Sequence, residues 1–109
     1  MRTVTLTTLI LSLAFIGCQK QPTSTDLDKA TIFLEKSEEV LGIYLERLDS
    51  EFTAQEIRTQ ILCKDYPHEY EKNYIPNMLT LSSEYTEAVL LSDLDRTLEH
   101  YKQRDQIQC

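Results

Sequence analysis

The chain has 109 residues, with 18 acidic and 11 basic side chains for a net charge of −7, and only two glycines and three prolines. An acidic balance of this size argues against nucleic-acid binding and against adhesion to anionic lipid. So few turn-forming residues also disfavour long loops or a sheet-rich fold.

At the N-terminus, Met1 and Arg2 precede an uncharged stretch, Thr3 to Gly17, that ends abruptly at Cys18. One positive residue followed by an apolar run of about 13 residues has the form of a secretory signal sequence. A membrane-spanning helix needs about 20 apolar residues, and threonines dilute this run. Phe15-Ile16-Gly17-Cys18 resembles the bacterial lipobox, with Phe15 where leucine is commonest. In lipoproteins of that kind the cysteine thiol is diacylated and the signal is cleaved just before it. The resemblance therefore implies a signal peptide over 1–17, lipidation at Cys18, and a membrane anchor made of several acyl chains such as palmitate, enough for stable attachment. Gln19 stands where an aspartate would tend to retain a lipoprotein at the inner membrane. In a Gram-negative host the resemblance then implies the periplasmic face of the outer membrane. Once Arg2 leaves with residues 1–17, the remaining 92 residues carry −8. That is enough for one small domain, for which extra staples matter.

Residues 18–25, rich in polar side chains and carrying Pro22, read as a short lipidated tether, with the helical domain over 26–109. Thr25 with Asp28 supplies an N-cap and a first-turn acid. Leu27, Ala30, Phe33/Leu34, Leu41, Tyr44/Leu45 and Leu48 then recur at steps of three and four, predicting a helix from about 26 to 49. Gly42 weakens it by roughly 1 kcal/mol relative to alanine, either to let another helix approach or simply by tolerance. Thr53 with Glu56 has the form of a capping box and Phe52 with Ile57 that of a hydrophobic staple. These predict a second helix from Thr53 to about Lys64, ended or kinked by Pro67, because a residue before proline is pushed away from helical geometry. Between Pro67 and Pro76 the sequence predicts a short helix. Beyond Pro76, Met78, Leu81, Tyr85, Ala88, Leu91, Leu94, Leu98 and Tyr101 predict one continuous or gently kinked helix over about 77–106. Ser92 is the alternative start of a separate one. The sum is an all-α fold, a small three- to four-helix bundle.

With Cys18 assigned to lipid, Cys63 and Cys109 remain, and an oxidising compartment favours their pairing. Within one chain the bond closes a 47-residue loop, worth about 4 kcal/mol of loop-closure entropy. The rival is an intermolecular bond through Cys109.

Chemistry is sparse. Cys63, His68, His100 and Cys109 match no close zinc spacing. Ser82, Ser83 and Ser92 lack the setting of a nucleophile elbow, and no glycine-rich loop cradles a phosphate. The reading is of no catalytic residue, no metal and no cofactor. Tyr66, Tyr70 and Tyr74 form a stripe at four-residue steps, read either as a binding surface, since tyrosine is enriched there, or as packing of the short helix onto the bundle. The segment "CKDYPHEY" also looks like a Cys-Lys-Asp-x-Pro stretch of small plasmid-encoded exclusion lipoproteins, which carry a further cysteine soon after that this chain lacks. The expectation is an envelope lipoprotein that acts by contact with another envelope protein. The alternative is an immunity, inhibitor or exclusion lipoprotein that blocks an incoming effector or conjugation machine.

Overall fold

The computed structural model describes residues 23–109; the expected signal sequence, the expected lipidation site Cys18 and most of the expected tether lie outside them. The described residues are helical without a strand, arranged as three helices. The first, α1, is Ser24–Asp49. The second, α2, runs without interruption over 55–81, and the third, α3, is Glu87–Asp105.

Helix α1 begins two residues earlier than expected. Thr23 is its N-cap and forms a capping box with Asp26: each side chain accepts from the other residue's backbone N–H, at 3.1 and 3.3 Å. Its core-facing stripe is Ala30, Ser37, Leu41 and Leu48, which follows the predicted periodicity with Ser37 added. Ser37 is only 1 % exposed and its hydroxyl has no hydrogen-bond partner.

The central helix departs most from expectation. Neither proline ends it. Instead, each is preceded by one π-helical turn, Ile61–Asp65 before Pro67 and Tyr70–Tyr74 before Pro76. In these turns the N–H of Tyr66 donates to the carbonyl of Ile61, and that of Ile75 to the carbonyl of Tyr70, both five residues back. A proline inside a regular helix lacks the N–H for the ladder, and its ring crowds the carbonyl four residues earlier. A widened turn just ahead of the ring moves that carbonyl aside, and the helix continues. The bias of pre-proline residues is overridden: Tyr66 and Ile75 keep helical dihedrals. Both are buried, and leaving the helix would expose them.

The wider turns also straighten the tyrosine stripe. On a regular helix a four-residue step overshoots one turn by about 40°; the π turn between Tyr70 and Tyr74 takes up part of that drift. The buried residues of α2 are Ile61, Leu62, Tyr66, Tyr70 and Ile75, with the five-residue step falling across the second π turn.

The single long helix expected after Pro76 is two helices' worth of chain. Helix α2 closes at Leu81, where Ser82 adopts an extended conformation (φ −133°, ψ 127°) and its hydroxyl accepts from the N–H of Glu84. Thr86 then caps α3 by accepting from the N–H of Val89 at 3.2 Å, so Ser92 starts nothing. The α3 core stripe is Leu90, Leu94 and Leu98, whereas Tyr85 and Ala88 of the expected register are exposed. At its C-terminus Gln106 turns left-handed (φ 56°, ψ 46°) and the Ile107 N–H returns to the carbonyl of Lys102 at 2.9 Å. That reversal puts Ile107 into the core and delivers Cys109 to Cys63.

The three helices alternate in direction. The end of α1, the start of α2 and the end of α3 meet at one end of the bundle. Helix α1 packs along the 66–81 stretch of α2, and α3 touches α2 at 61–65 and 75–81.

Two substitutions test the packing of α1. A Cβ placed on Gly42 meets nothing within 4 Å, so no close helix approach requires the glycine. Gly42→Ala is expected to raise stability by about 1 kcal/mol in denaturant unfolding; a loss would show a contact at that site. Ser37→Ala removes a buried hydroxyl that gains no bond and is expected to stabilise by about 1 kcal/mol, read as a higher midpoint with an unchanged slope.

Candidate functional site

The cysteines predicted to pair do so within the chain. Cys63 lies in the first π turn of α2, Cys109 follows the reversal at Gln106, and the two form a disulfide with Cα atoms 5.5 Å apart. Of the two pairings expected, the structure has the intramolecular one. Both sulfurs are consumed, which dismantles the set of Cys63, His68, His100 and Cys109 as metal ligands. Among the described residues no three His, Cys, Asp or Glu side chains gather to hold a metal ion.

The tyrosine stripe is part of the core. Tyr66 is 5 % and Tyr70 8 % exposed, and Tyr74 packs against the same cluster. Ring centroids are 6.1 Å apart for Tyr66–Tyr70 and 4.7 Å for Tyr70–Tyr74, separations at which aromatic pairs attract. Burial pushes all three phenols above their ordinary pKa, most strongly Tyr70, with the neighbouring tyrosines adding to the effect. A binding surface built on these rings is therefore corrected to an internal stack, because α1 lies directly across the 66–74 stretch.

The densest polar constellation was not visible in the sequence. Two arginines from different helices converge on one carbonyl oxygen. Arg58 Nη1 donates to Leu48 O at 3.2 Å, and Arg104 Nη2 donates to the same oxygen. Arg58 further donates to Ser50 O at 2.5 Å and Thr53 O at 3.0 Å, tying down the loop between α1 and α2. Asp105 joins both guanidinium groups, at 3.1 Å from Arg58 and 3.0 Å from Arg104. Arg104 also meets Asp49 at 3.2 Å and lies over the ring of Tyr101, whose hydroxyl donates to Asp49 at 3.1 Å. Gln55 Nε2 donates to the Asp105 carbonyl at 2.8 Å.

This knot explains why the predicted cap at Thr53 does not form. Its backbone carbonyl is held by Arg58, its N–H reaches Ser50 O at 3.4 Å, and the helix starts at Gln55 with Ala54 as N-cap. The expected staple is absent too: Phe52 is 95 % and Ile57 45 % exposed. No local spacing rule joins residues 48, 58 and 104, so no pattern along the chain announces them.

Open grooves flank the helices. One of about 420 Å³ lies between α1 and α3 and is lined by Leu45, Arg96, Thr97, His100 and Tyr101. Another of about 540 Å³ runs beside the C-terminal reversal, along Glu99, Lys102, Gln103 and Gln106–Cys109. Neither lining pairs a nucleophile with a base. The chain matches no protein-family model, and neither a curated protein nor a solved structure matches it.

The chemistry of the knot is structural. Arg58 and Asp105 side chains are 13 % and 10 % exposed, a burial at which removing one partner leaves an uncompensated charge. Asp105→Asn is expected to destabilise by about 3 kcal/mol in chemical denaturation, while Asp93→Asn, whose pair with Arg96 is exposed and 3.7 Å long, is expected to change little. The hydrogen bond from Arg104 is the main influence holding the Asp105 carboxyl below its ordinary pKa, against the opposing effect of its own burial. A depressed carboxylate adds stability above the unfolded-state value of about 3.9 that is lost as pH falls through the lower folded value. The wild type should therefore weaken below about pH 4, and Asp105→Asn should weaken less over the same interval. Equal acid sensitivity of the two would show that Asp105 is not the group responsible.

Proposed function

We propose that the chain is a lipid-anchored protein of the bacterial envelope, exported by a signal peptide over residues 1–17, acylated on Cys18 and acting by contact with another envelope protein. The observation that carries this reading is the Cys63–Cys109 disulfide in a chain whose N-terminal apolar run stops at Gly17-Cys18. A disulfide persists in an exported protein and is rare in the reducing cytosol. The lipobox-like ending accounts for the third cysteine and supplies the attachment; no described helix is long and apolar enough to cross a membrane. The buried polar groups of the bundle serve the fold, and the net charge of −7 suits a partner with a basic surface. The destination proposed is the periplasmic face of the outer membrane, by the absence of aspartate after Cys18.

A second reading, a protective blocker of an incoming effector or conjugation machine, draws on the likeness of "CKDYPHEY" to exclusion lipoproteins. The pairing of Cys63 with the distant Cys109 separates the chain from proteins whose next cysteine follows closely, and this favours the first reading.

Intact mass of the protein extracted from membranes, with and without reduction and thiol alkylation, tests the proposal. The expected mass is that of residues 18–109 plus acyl chains, monomeric before reduction, with Cys63 and Cys109 alkylated only after it. A full-length mass without acyl groups, or alkylation of all three cysteines without reduction, would sink the reading.

A further inference from the structure

Helix α1 carries a second organised face besides the one it buries. At about 100° per residue, the core stripe of Ala30, Ser37, Leu41 and Leu48 occupies one side. Six of the seven acids of α1, Asp28, Glu35, Glu38, Glu39, Glu46 and Asp49, fall together on one flank; Asp26 is engaged in the capping box at the helix start. The remaining sector, roughly 100° wide, holds Lys29, Ile32, Phe33, Lys36, Val40, Ile43 and Arg47. It contains every cation of the helix and no acid. The three cations are seven and eleven residues apart, close to two and three whole turns, so they line up along the axis.

These side chains are available. Ile32 is 62 %, Phe33 54 % and Ile43 43 % exposed, Val40 is half-buried, and all three cations are exposed. The ion pairs among the described residues use Arg58, Arg96 and Arg104 and none of these three. The other helices leave the sector uncovered. Helix α3 faces α1 on the side of Leu45, which shares a groove with Arg96 and Tyr101 and lies about half a turn from Lys36. Helix α2 borders the sector only at its margin, where Glu69 and Asn73 line a shallow groove with Phe33, Lys36 and Val40.

We propose that this face of α1 is a membrane-contact surface that lies in the plane of an anionic phospholipid layer, with Ile32, Phe33, Val40 and Ile43 entering the headgroup–acyl boundary. Lys29, Lys36 and Arg47 reach the phosphates. An interfacial helix requires an apolar side with lysine or arginine beside it, its stems along the apolar surface and its heads in the polar layer. The net charge of −7 opposes adhesion to anionic lipid on average, so the contact depends on which face meets the layer. The acid flank adjoins this sector on the same helix; with the three cations turned toward the phosphates, those carboxylates are held on the water side, where salt screens them.

The inference rests on the lipid-anchored reading for one element, the tether. Cys18 and Thr23 are five residues apart, a reach of at most about 17 Å. An anchor so close holds α1 at high effective concentration beside the bilayer, so even a modest surface engages it. The face then fixes an orientation, with α1 against the lipid and α3 turned outward.

The chain contains no tryptophan, which makes a single one a clean depth reporter. Phe33→Trp on the proposed face and Val89→Trp on α3, where valine is 48 % exposed, replace side chains already outside the core. Each variant, extracted with its acyl chains, is reconstituted in vesicles of phosphatidylglycerol and brominated phosphatidylcholine. The expected result is Phe33→Trp fluorescence quenched several-fold more strongly than Val89→Trp. In the Phe33→Trp background, charge reversal of Lys29, Lys36 and Arg47 to Glu should remove most of that quenching. An acylated mass with equal quenching at both positions, or with none at either, overturns the contact face and leaves the anchor standing. A mass without acyl chains alongside selective quenching of Phe33→Trp overturns the anchor and upholds the face. A mass without acyl chains and no quenching overturns both. If the quenching survives charge reversal, the cations are not part of the contact and the proposal fails in that form.

Discussion

The carbonyl oxygen of Leu48 receives two guanidinium groups, from Arg58 and Arg104, and the arrangement of the three helices depends on that meeting. Leu48 is the last buried residue of α1, Arg58 stands one turn into α2, and Arg104 in the last turn of α3. A terminal helix carbonyl has no partner of its own. Using it as the common acceptor fixes where α1 stops and the angle at which the chain enters α2. It also fixes how far α3 must run to bring Arg104 and Asp105 into place. Asp105, itself 10 % exposed, lies between the two arginines and offsets their mutual repulsion. The disulfide lies toward the same end and repeats the constraint covalently, with Ile107 buried in the core just before Cys109.

The central helix shows how two local rules yield to packing. Proline at 67 and at 76 disfavours a continuous helix, yet the buried set Ile61, Leu62, Tyr66, Tyr70 and Ile75 needs a single rod to stay on one side. The two π turns are the compromise. Each relieves the proline that follows it and lets the tyrosines stack along α1. Their raised pKa values reflect the same packing: a phenol kept from water resists ionising, which adds stability below its ordinary pKa and withdraws it as pH climbs past that value.

The parts of the fold legible in the sequence were those set by periodicity and covalent chemistry. The α1 stripe through Ala30, Leu41 and Leu48 follows from three- and four-residue spacing, and the cysteine pair from counting and compartment. The Thr53–Glu56 box and Phe52–Ile57 staple had the correct spacing and did not form: the Thr53 N–H is turned to Ser50 O and its carbonyl to Arg58. The break over 82–86 was hidden by an apolar register that passed through it by coincidence. The polar run Ser82-Ser83-Glu84-Tyr85-Thr86 carried the signal, since serine and threonine side chains readily replace a helix's own hydrogen bonds. The candidate site was least legible. Tyr66, Tyr70 and Tyr74 read as surface or as core on one helix alone, and only the position of α1 decides between them. Ser37 lies in the core stripe, but a serine adds nothing to an apolar periodicity.

All the cross-links of the bundle, ionic and covalent, crowd one end, around Leu48, Arg58, Asp105 and Cys63–Cys109. The other end is held by side-chain packing and by the caps at Thr23 and Thr86. Under load the molecule is therefore directional. Tension applied through residue 23 meets α1 at its least reinforced turns and peels it from α2 turn by turn, at low force, until it reaches Leu48. There the guanidinium groups and the disulfide loop must be sheared together, and extension stalls. A protein pulled by its N-terminus would thus lengthen first and resist afterwards, like a strap stitched only at its far edge.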